Sequence, residues 1–196
     1  MSLFQSIKNI FIAGPPRSGK STLLMSILED LQKDKIRISG IICPEIRVSG
    51  KRWGFKVKVY PEGPEEILAS VEIQSPYRVS KYGVNIEGFE RIVENYLMKM
   101  LKDPNVQVLL IDEIGKMELL SKKFRSFVEE ALNSPKLVVG VLGYVDDPLV
   151  LSIRRRKDTV VYTITYQSSE IQRKEIRRKI LEDINTYILA MSTGCI

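Results

Sequence analysis

This sequence predicts a three-layer α/β fold, with a mostly parallel central sheet flanked by helices and an inserted β-hairpin. Three observations lead there. Short apolar runs bounded by glycine and proline read as buried strands, helical apolar periodicity fills the intervals between them, and a strand, a glycine turn and a helix follow one another directly near residue 14. With 196 residues, 44% of them hydrophobic, the chain is long enough for one substantial core, and a single domain over 1–196 is expected.

Each element can be justified in turn. The segment NIFIA at 9–13 is a continuous apolar run, which suits a parallel strand covered on both faces. Leu23, Leu24, Ile27, Leu28 and Leu31 then recur at helical spacing. Residues 36–43 read as a second strand and 47–60 as a hairpin turning at Ser49 and Gly50, where Phe55, Val57 and Val59 alternate with Lys56 and Lys58. Over 61–84 the prolines, glycines and serines leave no clear period, and only a short helix near 65–70 is expected. Phe89, Ile92, Val93, Tyr96, Leu97, Met100 and Leu101 mark an amphipathic helix that ends at Asp103-Pro104-Asn105. A buried strand over 106–111 then delivers Asp112 and Glu113 at its C-terminal end. A helix at 121–132, a strand at 137–142, a short helix at 149–156, a strand at 160–165 and a last helix over about 168–190 complete the alternation.

Composition narrows the chemistry. There is no histidine, which removes Ser-His-Asp and Cys-His nucleophiles and histidine-ligated metals, and leaves carboxylates, lysine, arginine, backbone amides and a hard cation. Cys43 and Cys195 form no CxxC pair and are read as two reduced thiols in a cytoplasmic protein. No apolar stretch is long enough for a membrane helix, and the first residues lack the basic region of a signal peptide. The net charge of +6 permits an anionic partner, but the cations are interleaved with 24 acids, so most of this charge reads as solvated surface.

The strongest motif is Gly14-Pro15-Pro16-Arg17-Ser18-Gly19-Lys20-Ser21, followed by Thr22, which fits G-x-x-x-x-G-K-[ST] between a strand and a helix. The pattern has a physical basis. Gly14 and Gly19 let the backbone wrap around phosphate with its amides pointing inward, and Pro15 and Pro16 stiffen the loop. Lys20 brings a cation to the β and γ phosphates, and the Ser21 hydroxyl is the expected protein ligand of Mg²⁺. The second motif, VQVLLIDEIGK, ends a buried strand on two acids: Asp112 for the magnesium shell and Glu113 to orient or deprotonate a water. The third is Arg154-Arg155-Arg156-Lys157, read either as a solvated helix end or as the source of an internal arginine finger.

Five strings are spread along most of the chain: GPPRSGKST at 14–22, GIICPEIRVSGKRWGFKV at 40–57, YRVSKYGV at 77–84, IDEIGKMELLSKKF at 111–124 and RRRKDTVVYTIT at 154–165. In these strings the chain resembles the nucleoside-triphosphatase family that includes the human cancer-related nucleoside-triphosphatase and its thermophile relatives. The resemblance implies a RecA-like P-loop fold and Mg²⁺-dependent hydrolysis of ATP, GTP and other nucleoside triphosphates to diphosphate and phosphate. By motif match it also implies phosphate binding by residues 14–22 and metal-linked and catalytic roles for Asp112 and Glu113. Two positions depart from the family pattern: Arg17 stands where many relatives carry a small residue, and Tyr144 where some carry histidine.

The expected activity is nucleoside triphosphate hydrolysis with little base preference, because the recognised contacts are to phosphate and metal and no N-K-x-D guanine motif is present. A P-loop kinase acting on a small acceptor is the rival enzyme, and it has no need of a water-directing Glu113. A nucleotide-gated RNA-binding protein using the basic stretches at 154–157 and 173–179 is the non-enzymatic alternative. RNA or DNA is the less favoured partner, since no RNP-type aromatic motif accompanies those stretches. A monomer is slightly favoured.

Overall fold

The computed structural model describes residues 7–194, and ten strands within them form one sheet. In chain order these are β1 (Asn9–Ala13), β2 (Ile38–Ile42), β3 (Glu45–Val48), β4 (Lys51–Tyr60), β5 (Glu65–Ser70), β6 (Arg78–Val79), β7 (Tyr82–Val84), β8 (Val108–Ile114), β9 (Leu137–Leu142) and β10 (Thr159–Thr163). The spatial order is β10-β1-β9-β8-β2-β4-β5-β7-β6, with β3 paired to β4 off that path. The strands from β10 to β2 are parallel, and those from β4 to β6 extend the sheet antiparallel.

The helices are α1 (Lys20–Lys33), α2 (Ile86–Ile92), α3 (Met98–Lys102), α4 (Lys122–Asn133), α5 (Pro148–Arg155) and α6 (Glu170–Ser192). A parallel sheet must be covered on both faces, and β1 shows how this is done. Phe11 and Ala13 point into a core with Phe89 of α2, Phe124 and Phe127 of α4 and Ile153 of α5. Ile10 and Ile12 point the other way, onto Leu24, Ile27 and Leu28 of α1 and Ile180 and Ile184 of α6. Three layers result.

Most expected elements are present within a residue or two of their expected ends, and β1 and β9 match residue for residue. Ser49 and Gly50 form the hairpin turn, both at positive φ (49 and 76), the two-residue turn that suits strand twist. Three regions differ from expectation. Residues 65–70 are the strand β5, not a short helix: Leu68, Ala69 and Ser70 are fully buried and the segment pairs with β4, so tertiary pairing overrides the helix propensity of Glu, Leu and Ala. The amphipathic helix contains a π-helical turn, Val93–Leu97, between α2 and α3. Finally, β8 does not stop before Asp112 but runs on to Ile114, with its register against β9 shifting between Ile111 and Ile114. Cys195, one of the two expected thiols, lies outside the described residues.

Candidate active site

All five parallel strands point their C-terminal ends the same way, so the loops after β1, β8, β9 and β10 converge on one edge of the sheet. The loop at 14–19 leaves β1 there. Gly14, at φ 152, has no room for a side chain: a Cβ would fall 2.0 Å from the Ile164 carbonyl oxygen. Gly19 takes φ 90 at the start of α1, a left-handed value that glycine adopts without strain. No side chain caps α1, so the amides of its first turn are left for an anion. Within the loop Arg17 also adopts a left-handed φ of 63 and is exposed, as are Pro16, Ser21 and Thr22, whereas Ser18 is buried.

Lys20 is buried to 8% exposure, and its Nζ donates to the Pro15 carbonyl at 2.9 Å, so the ammonium lies back across the loop. The Ser21 hydroxyl donates to Asp112 Oδ1 at 3.1 Å. This bond joins the start of α1 to β8, two strands away from β1, and so brings the two main motifs together. Asp112 sits in the irregular part of β8 and Glu113 follows it; such bulges re-aim side chains next to sites.

A third acid lies beside them. Glu118 opens the 3-10 turn Glu118–Leu120 and is 4% exposed. A Cβ added at Gly115 would meet both Glu113 Oε1 at 2.3 Å and Glu118 Oε2 at 3.0 Å, so this glycine makes room for the two carboxylates. Burial, then the charge of Glu113, push the Asp112 carboxyl up to about 7, against the Ser21 hydrogen bond and Lys20. Burial raises Glu113 as well, opposed by Lys20. Burial, followed by Glu113, pushes Glu118 up to about 8, while the backbone amides of Glu118 and Gly115 pull the other way. Cys43, just past β2, is a free thiol raised well above its ordinary value by burial and by Glu118, Asp112 and Glu113, which keeps it protonated. Among the described residues, the edge is therefore a largely buried cluster of acids with Lys20 as the cation acting on Asp112 and Glu113, electrostatically short of positive charge.

Arg154, Arg155, Arg156 and Lys157 are not part of this edge. They lead into β10 at Thr159, which pairs with Asn9, the first residue of β1 and so the far end of the sheet from the loop. There Arg156 binds Asp158, the Leu132 carbonyl and Asn133, all near 2.9 Å. The arginine-finger expectation is thus corrected: a neighbouring buried acid holds Arg156 about 16 Å away, the length of a five-residue strand. The other basic stretch is largely neutralised, because Lys174 pairs with Glu170, Arg177 with Asp30, Arg178 with Glu175 and Glu182, and Lys179 with Glu175. Tyr144 is 72% exposed in the loop after β9.

Sequence reasoning left two groups at this edge without a role. Glu118 is visible in the sequence only as an acid inside an apolar string, Met117-Glu118-Leu119-Leu120. Tyr166 and Arg173, after β10, reach the loop from the other side: the Tyr166 hydroxyl donates to the Pro16 carbonyl and Arg173 Nη1 to the Ser18 carbonyl. No sequence signal connects them to it. Among the described residues, no helix is long and apolar enough to cross a membrane.

The chain is similar to proteins that carry a name for this architecture. It is 39% identical over 167 residues to the nucleoside-triphosphatase THEP1 of Thermotoga sp. (strain RQ2), covering 85% of this chain and 92% of that protein. The crystal structure of THEP1 from the hyperthermophile Aquifex aeolicus superimposes with a TM-score of 0.70 at 37% identity, covering 86% of this chain and 96% of that one. The solution structure of a human cancer-related nucleoside triphosphatase gives 0.69 at 30% identity, over 88% and 95%. The family model described as NTPase matches residues 9–181, from the first residue of β1 into α6, and so takes in the loop, the acid cluster, Tyr166 and Arg173. The chain belongs to that NTPase family, on a P-loop NTPase fold.

Proposed function

We propose that the protein hydrolyses nucleoside 5'-triphosphates to diphosphate and phosphate in a Mg²⁺-dependent reaction with little selectivity for the base. The observation that carries this reading is the Ser21–Asp112 hydrogen bond, which sets a hydroxyl and a carboxylate side by side between the phosphate loop and the acid cluster. Two adjacent oxygens suit a hard cation, which in phosphoryl-transfer sites takes one or two protein ligands and completes its shell with water and phosphate. Among the described residues no group of three or more acids, cysteines or histidines could cage a metal, so a site completed by substrate fits better than a closed one. The elevated Asp112 fits too, as a carboxylate that gains from a neighbouring positive charge. When bound, Mg²⁺ would draw charge from the β and γ phosphates.

The chain's own groups supply the rest of the reaction. The amides of Arg17 and of residues 19–22 at the start of α1 hold the phosphates, and Lys20 exchanges the Pro15 carbonyl for a phosphate oxygen. Glu113, raised by burial, accepts the proton of an attacking water. Phosphate release is the direct test, assayed with ATP, GTP, CTP and UTP and no added acceptor. Glu113→Gln keeps size but removes the basic oxygen, so its rate should fall about 10²- to 10⁴-fold with affinity changed less than about tenfold. A near wild-type rate in Glu113→Gln would sink the water-activating role, and a hundredfold preference for one base would sink the broad specificity.

A further inference from the structure

The phosphate loop is gripped by its carbonyls. In a trans peptide the C=O and the next residue's N–H lie in one plane and point to opposite sides. A group that fixes a carbonyl outside the loop therefore aims the following amide inward. Two loop carbonyls are fixed in this way, Pro16 by the Tyr166 hydroxyl and Ser18 by Arg173 Nη1 at 2.8 Å. The amides across those peptide planes belong to Arg17 and Gly19, the two loop residues after Gly14 with positive φ. Neither amide is hydrogen-bonded to another described residue.

Each of the three guanidinium nitrogens of Arg173 donates a hydrogen bond in this arrangement. Its Nε donates to the Ser168 carbonyl at 3.2 Å and its Nη2 to the Thr165 carbonyl at 2.9 Å, so one guanidinium joins the phosphate loop to the β10–α6 connection. A Cβ at Gly19 would come within 3.1 Å of Nη1, which places the guanidinium directly against the peptide it holds. Tyr166 comes from the same connection and is 66% exposed, so its ring adds little to the core and its hydroxyl contact is the feature to explain.

We propose that Tyr166 and Arg173 are positioning residues that brace the phosphate loop from outside and aim the Arg17 and Gly19 amides at the polyphosphate. The proposal rests on the phosphate-loop reading above. It has a chemical corollary: the brace acts on phosphate whatever base or sugar is attached, so inorganic tripolyphosphate is the probe that reads it. A tyrosine that stacked on a base would instead keep its effect when replaced by phenylalanine, and would leave tripolyphosphate untouched.

The experiment measures KM and kcat for ATP, and Ki for tripolyphosphate as a competitor, in Arg173→Lys and Tyr166→Phe. Melting temperatures are recorded for each. Lysine keeps the charge but not the fork, so Arg173→Lys should raise KM and Ki about tenfold with kcat within about threefold, and Tyr166→Phe should raise both about threefold. Arg177→Lys is the control, because Arg177 binds Ser26 and Asp30 further along α1 and touches no loop carbonyl. It should leave KM and Ki at wild-type values. Wild-type Ki in both Arg173→Lys and Tyr166→Phe overturns the brace. So does an equal loss in Arg177→Lys, which would reduce Arg173 to an anchor of α6, or a Tyr166→Phe effect seen with ATP alone. Lys20→Ala separates this proposal from the reading beneath it: if that variant also keeps wild-type Ki, the phosphate-loop assignment has failed, whereas a weakened Lys20→Ala beside normal Arg173→Lys and Tyr166→Phe overturns the brace alone.

Discussion

The two ends of the parallel sheet bury charge in opposite ways. At the N-terminal end Lys8 donates to the carbonyls of Leu132 and Ser134 and lies 3.8 Å from Asp158, Arg156 closes on the same aspartate, and the Tyr187 hydroxyl satisfies the Pro135 carbonyl. Two cations share one buried carboxylate there and backbone carbonyls accept from both, so nearly every group has a partner; the exceptions are the Asn9 amide and the neighbouring Thr159 hydroxyl, which find none among the described residues. At the C-terminal end Asp112 and Glu118 are buried with the half-buried Glu113 between them, and Lys20 is the cation acting on Asp112 and Glu113. The first arrangement is what a core needs to stay folded. The second costs stability, and that cost fits the proposed site, where a ligand would bring the missing positive charge.

The comparison can be broken most directly at Lys20. Lys20→Ala removes the cation of the short-charged end, and turnover should fall by about 10³-fold with a clear loss of triphosphate affinity. Wild-type kinetics in that variant would mean the acid cluster is not the functional end.

A smaller effect concerns the pH dependence of the metal-free protein. Burial, and then the charge of Glu113, push the Glu118 carboxyl from the ordinary 4.5 up to about 8 in the fold. An acid raised in this way favours the fold below its unfolded pKa and loses that contribution as pH climbs toward its folded one, so stability should drop between pH 4.5 and 8. Glu118→Gln should flatten this slope, with a gain on the order of 3 kcal/mol at pH 8 and little at pH 4, read from thermal or urea melts. An unchanged slope would show that Glu118 is not the group responsible.

The opposite end should behave with the opposite sign. Burial raises Asp158, but the hydrogen bonds and charge of Arg156, with Lys8, outweigh it and leave the carboxyl below its ordinary range. Its contribution is present above pH 4 and fades as pH falls through the folded pKa. Asp158→Asn should cost about 2 kcal/mol at pH 7 while KM and kcat stay within about twofold. A change in kinetics without loss of stability would erase the distinction between the two ends.

How far the molecule can be read from its sequence follows from the range of the interactions involved. β1 and β9 are legible because a run such as Asn9-Ile10-Phe11-Ile12-Ala13 carries its own boundaries and needs no partner to be recognised. The loop and Asp112 are legible because their spacing is local. β5 is not, since Glu65-Glu66-Ile67-Leu68 favours helix until β4 lies alongside it. The place of Arg156, open in the sequence between a finger and a solvated helix end, is decided by its acid partner two residues away. Arg173 is invisible because the carbonyl it holds lies 155 positions earlier, and nothing in either segment announces the other.

The far margin of the sheet has a consequence of its own. The antiparallel extension ends on β6, only two residues long, with Arg78 in it and Lys81 just beyond. A row of free backbone groups on a long flat margin would recruit a neighbouring chain, strand to strand, whenever the protein is concentrated. Here the row is cut to two residues and fenced with cations, so the ten-stranded sheet ends on that side without offering a template for growth into fibres.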